Sequence, residues 1–144
     1  MSVSAVQALR ALIARNPNVS LRIGERVFIG YAPQAAAMPF VVLSQVGGRR
    51  QHHLRGAAEV AWSNVQVDVM ATDEAVGSQL ANLVRLSLDA YRGGVTVAGD
   101  TTYLRHVALE SESGDVQSPQ DGTDAGVWVQ TQTYQVVQAE TVTR

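Results

Sequence analysis

The chain has 144 residues, 46% of them apolar, with a formal net charge of −2 and no cysteine. Such a chain is long and apolar enough for one globular domain, residues 1–144, and is not a disordered polymer. The missing cysteine excludes disulfides, thiol catalysis and cysteine-ligated metals, and the near-neutral balance argues against general nucleic-acid binding.

Val3, Val6, Leu9, Leu12 and Ile13 recur at helical spacing with alanines between them, which predicts an N-terminal helix. Asn16-Pro17-Asn18 ends it, because proline cannot continue a helix, and Leu21 to Gly24 reads as a short connection. Arg26 to Tyr31 reads as a strand, and residues 33–39, with prolines at both ends, as a surface loop or one turn of helix. Phe40-Val41-Val42-Leu43-Ser44-Gln45-Val46 is a near-continuous apolar run, the pattern of a strand covered on both faces.

Gly47 to Gly56 breaks that pattern with flanking glycines, three arginines and one leucine. It predicts a long loop between antiparallel strands, of the kind that carries function or orders on binding. From Ala58 a long strand follows. Its Val60 and Trp62 lie on one parity and Val65, Val67 and Val69 on the other, so one continuous strand cannot bury both sets on one face. Either a bulge sits near Ser63-Asn64 or Trp62 points away from the valines. An outward Trp62 suggests a partner surface, whereas an inward one packs beneath the long loop.

Thr72 is placed as an N-cap, with Asp73 and Glu74 in the first turn. Val76, Leu80, Leu83, Val84, Leu88 and Tyr91 then form one helical stripe, stopped by Gly93-Gly94. The valine face of the strand receives that stripe. A strand follows over Tyr103 to Glu110, then a polar loop over Glu112 to Ala125. Gly126 to Ala139 closes the chain as a long strand carrying Trp128, with an edge available for pairing between chains. The fold expected is α+β and two-layered, with a mixed, mainly antiparallel sheet. An N-terminal helix and one long central helix pack on that sheet.

Chemistry has little foothold. His52 and His53 are adjacent and His106 is distant, whereas metal-binding histidines on a regular element sit two to four apart. The acidic segment Glu110 to Asp115 lacks calcium-loop spacing. Gly47-Gly48 lacks a phosphate-cradle context, and no Gly-x-Ser-x-Gly occurs. No catalytic, cofactor or metal residue follows. No apolar run reaches membrane-spanning length, and Met1 to Ser4 does not look like a signal peptide, so the expected compartment is cytoplasm-like.

Every basic residue is arginine, which suits a GC-rich genome and also suits interfaces, where the planar guanidinium makes paired hydrogen bonds. Arg49, Arg50, His52, His53 and Arg55 form the candidate interface or lumen stretch. Trp62 and Trp128 are the candidate subunit contacts.

Taken in succession, these pieces resemble the tail-completion or tail-terminator proteins of long-tailed bacteriophages, the gp17-like and HK97 gp10-like group. The resemblance rests on the N-terminal helix, Arg26-Val27-Phe28, Pro39-Phe40-Val41-Val42-Leu43 and Val65-Gln66-Val67-Asp68-Val69-Met70-Ala71. The helix to Tyr91 and Tyr134-Gln135-Val136 complete it. It implies a structural virion protein and no enzyme, one that caps the tail tube and forms a hexameric ring joining tail to head. The setting is a phage, a prophage or a gene transfer agent. Partners implied are further copies of the chain, the tail tube protein and a head–tail connector protein, with passing contact to DNA in the lumen and none to membrane. No cofactor is implied. A head–tail connector role, or a small α/β enzyme or ligand-binding domain, stands as the alternative.

Overall fold

The structure, a computed structural model, describes the backbone of residues 3–52, 58–117 and 127–141. Ser4 starts helix α1 (Ala5–Arg15) through a reciprocal capping box. Its side-chain oxygen accepts from the Gln7 amide at 3.2 Å, and the Gln7 side chain accepts from the Ser4 amide at 3.0 Å. Both are backbone donors that the helix itself leaves unpaired. Helix α2 (Pro17–Ile23) follows directly. Asn16 caps it by accepting from the Asn18 amide at 2.9 Å, and Pro17 stands in the first turn, where its missing N–H removes no bond. The proline therefore ends one helix and begins another, and the connection expected up to Gly24 is helical as far as Ile23.

The strands are β1 (Val27–Ile29), β2 (Phe40–His52), β3 (Ala58–Ala71), β4 (Gly93–Val97), β5 (Asp100–Gln117) and β6 (Val127–Thr141). They form one sheet in the order β1-β2-β3-β6-β5-β4, with β1–β2 parallel and every other pair antiparallel. Helix α3 (Glu74–Leu88) connects β3 to β4. The fold is α+β, as expected, but its helical layer holds three helices among the described residues rather than two.

Four expected boundaries shift. The cap of α3 is Asp73, not Thr72, since the Asp73 carboxylate accepts from the Ala75 amide at 2.7 Å. The helix stops at Leu88 rather than Tyr91, with Ala90 in the left-handed region at φ 64°. Glycines 47 and 48 do not open a loop: β2 runs on to His52, paired with β3 down to Glu59. Likewise β5 runs through the expected polar loop to Gln117, paired with Val127. Long antiparallel neighbours pair these segments along one side, which outweighs their low strand propensity.

The phase change around Trp62 resolves in β2. The register shifts there between Gln45 and Gly47, so Val46 is an extra residue, while β3 pairs with β6 without interruption from Ala58 to Ala71. Trp62 therefore lies on the face opposite Val65, Val67 and Val69, which are fully buried. Those valines, with Val41, Leu43, Tyr134 and Val136, meet the inner sides of α1, α2 and α3 in one core. In α3 the buried line is Gly77, Leu80, Ala81, Val84 and Leu88, rotated from the expected stripe, and Val76 is exposed.

Two polar side chains are built into that core. Gln132 donates to the Ala81 carbonyl at 2.9 Å and to Glu112 Oε2 at 2.6 Å, and accepts the Tyr134 hydroxyl at 2.6 Å. Gln138 donates to the Val3 carbonyl at 3.0 Å and to Thr102 Oγ1 at 2.9 Å. Each is satisfied, as a buried amide must be. Burial, with Asp89 and Glu112 nearby, pushes the Tyr134 hydroxyl far above its usual range.

Candidate assembly surfaces

Three surfaces are left once the helices have covered one side of the sheet. The first is the opposite face. Cross-strand pairing aligns Trp62, Asn64, Gln66 and Asp68 of β3 with Val137, Gln135, Thr133 and Thr131 of β6. Asp68 accepts from Thr131 Oγ1 at 2.7 Å and from Gln66 Nε2 at 3.1 Å. Phe28 and Phe40 meet edge to face at one side of it, with centroids 6.0 Å apart. A shallow depression of about 270 Å³ lies between Gly48, Trp62, Asn64 and Gln135. This face is held rigid by hydrogen bonds but presents mostly amides and hydroxyls, not a reactive group.

The second surface is the edge of β2. Strand β1 covers β2 only from Val41 to Leu43, and the Gly30 amide adds one bond to the Leu43 carbonyl at 2.8 Å. Beyond that, β2 is bonded on one side only, to β3, among the described residues. Arg49, Arg50 and His52 lie on this free stretch, opposite Trp62, Ala61 and Glu59. They are strand residues and not parts of a loop; His53 and Arg55 lie outside the described residues.

The third surface is the edge of β5. Strand β4 pairs with β5 only from Asp100 to Leu104. The Ala90 amide then donates to the Val107 carbonyl at 2.8 Å, and the Leu109 amide to Asp89 Oδ1 at 3.1 Å. From Glu110 to Gln117 no described residue pairs with the outer side of β5. Glu110, Glu112, Asp115 and Val116 of this stretch are exposed. Sequence reasoning missed this edge by reading its charges as a solvated loop. Glu110 to Asp115 is polar or glycine throughout and carries no apolar–polar alternation; its pairing with β6 is what makes it a strand.

Strand β6, expected to offer its edge, is enclosed between β3 and β5 and offers none. Trp128 is also taken up within its own chain. Its ring lies between Gly77 of α3 and Gly114 of β5, so close that a side chain at either glycine would collide with it. Its indole N–H is buried, with no hydrogen-bond partner among the described residues. Of the two tryptophans, Trp62 is the one on the open face.

A second depression, about 520 Å³, is lined by Arg10, Ala14, Ser20, Gly24, Glu25 and Val27. Arg10 there is engaged with the Val27 carbonyl at 2.9 Å. No group of three or more metal-ligating side chains occurs among the described residues, and no helix is long and apolar enough to cross a membrane. Surfaces, rather than a pocket, are what this fold presents.

Comparison with known proteins agrees with that emphasis. No curated protein matches the chain. A solved structure described as "Virion of native gene transfer agent (GTA) particle" contains a chain of the same fold, with a TM-score of 0.71 at 12% identity. The alignment covers 95% of this chain and 96% of that one. The model of the family described as "Tail completion protein gp17" matches residues 7–137. The chain thus belongs to the gp17 tail-completion family of phage tail structural proteins.

Proposed function

We propose that this protein caps the tail tube and forms the ring, six-fold by family resemblance, that joins the tail to the head. The match to the tail-completion family over residues 7–137 carries the reading. The likeness of fold to a chain of a gene transfer agent virion supports a phage, prophage or gene transfer agent setting. The surfaces suit the role: a ring needs two different patches on each subunit, and the two free strand edges are different. In this reading one rim of the ring meets the tube protein and the other a head–tail connector protein. Trp62 supplies a contact from the open face. The basic stretch around Arg49 and Arg50 faces the lumen or the tube, in passing contact with DNA.

Removing the gene from the particle that carries it tests the proposal. Filled heads and unjoined tails should accumulate, with tails of irregular length, and the gene supplied separately should restore joined particles. Normal particles without the gene would refute it.

A further inference from the structure

We infer that the subunits of the ring join edge to edge, the free β2 edge of one copy pairing with the free β5 edge of the next. The inference rests on the ring reading above and names the contact that closes the ring.

Three observations carry it. The first is geometric. The free stretches lie at opposite sides of the sheet, beyond β1 on one side and beyond β4 on the other. Since β2–β3, β3–β6 and β6–β5 are each antiparallel, β5 runs opposite to β2. A sheet continued from one copy into the next therefore places β5 antiparallel to the neighbour's β2, an ordinary strand pairing.

The second is charge. From Ser44 to His52, β2 carries Arg49, Arg50 and His52 and no acid. From Glu110 to Gln117, β5 carries Glu110, Glu112 and Asp115 and no base. Behind β5, residues 127–138 of β6 carry no charge at all, and behind β2 the only acid from 58 to 64 is Glu59. With the two stretches centred on each other in antiparallel register, Arg50 falls opposite Glu112 and His52 opposite Glu110. Directly opposed unlike charges favour pairing and like charges oppose it. Two β2 edges thus repel, two β5 edges repel, and only the unlike pair attracts. That selects a head-to-tail contact over a two-fold dimer, and head-to-tail contacts are the ones that generate rings.

The third is the shape of the edges. Long free edges are blunted with proline, charge or bulges, and neither stretch holds a proline. Instead a bulge stands at the start of each: at Val46 in β2, and at Glu110 in β5, where the register with β6 shifts between Leu109 and Ser111. Beyond each bulge the edge is a regular strand, and each carries an exposed aliphatic residue, Val46 at the bulge of β2 and Val116 near the end of β5. Pairing into a closed ring leaves neither edge open.

Charge reversal tests it. Arg50→Glu with His52→Glu makes both edges acidic, and Glu110→Arg with Glu112→Arg makes both basic. Each pair should reduce the light-scattering mass from that of the ring to that of a single chain, 15.4 kDa, with unchanged circular dichroism. All four changes together restore the attraction in reversed sense and should restore the ring. Equal mixing of the two pair variants should also produce rings. Rings that survive either pair, or a fourfold variant that stays monomeric while folded, would overturn the edge contact and leave the ring reading standing. Wild-type protein that never associates would overturn both.

Discussion

The Tyr134 hydroxyl donates to Gln132 Oε1 at 2.6 Å, with both side chains fully buried between the sheet and α3. Removing the hydroxyl leaves that oxygen buried without a donor, which costs about 1–3 kcal/mol. Tyr134→Phe should therefore unfold at lower urea with an unchanged slope. Unchanged stability would show that the bond contributes nothing net.

The same hydroxyl fixes a pH dependence. Its folded pKa lies well above the ordinary 10.0, raised first by burial and then by Asp89 and Glu112. The neutral form is thus favoured by folding. That contribution is complete below pH 10.0 and is lost as pH rises beyond it, since the unfolded chain releases its proton first, by up to about 1.4 kcal/mol per pH unit. Alkaline unfolding curves should show this slope in the wild type and a shallower one in Tyr134→Phe. Parallel curves for the two proteins would contradict the assignment.

Trp128 accounts for the small residue in α3. Gly77→Ala places a methyl group against its ring, and overpacking of this kind costs about 1–3 kcal/mol. Adding Trp128→Ala should cancel part of that cost, because the two changes share one contact. Strictly additive losses in denaturant titrations would argue that the ring can move aside.

The two faces of β3 and β6 should respond in opposite ways to charge. Val67→Asp buries an unpaired carboxylate beneath the helices and should abolish cooperative unfolding. Gln135→Glu, on the open face, should change stability by no more than about 0.5 kcal/mol. A folded Val67→Asp protein would reverse the assignment of faces.

Arg49, Arg50 and Arg55 changed together to Ala should leave the thermal unfolding transition intact while impairing assembly, because the role proposed for the basic stretch is contact and not folding. Loss of the transition would assign these residues a structural role.

Much of this was legible in the sequence because local and tertiary demands coincide. Val65, Val67 and Val69 alternate, and Leu80, Val84 and Leu88 keep helical spacing, so strand, helix and their mutual packing follow. The basic stretch was visible as a run of arginine and histidine, but its state was not. Gly47-Gly48 reads locally as a break, and only the partner residues from Glu59 to Asn64, brought alongside by the hairpin, keep it in the sheet. Pro17 misled similarly, since it suits a helix start as well as a stop. The free edges were invisible, because an edge is defined by where β1 and β4 end, a tertiary fact. The enclosure of β6 and the seating of Trp128 depend on strand order, which periodicity does not encode.

The most direct measurement is the mass of purified protein by light scattering over a wide concentration range, with negative-stain images of the same samples, alone and with tail tube protein added. The account predicts closed six-fold rings, forming with concentration or on the tube. A strict monomer under every one of these conditions would contradict it.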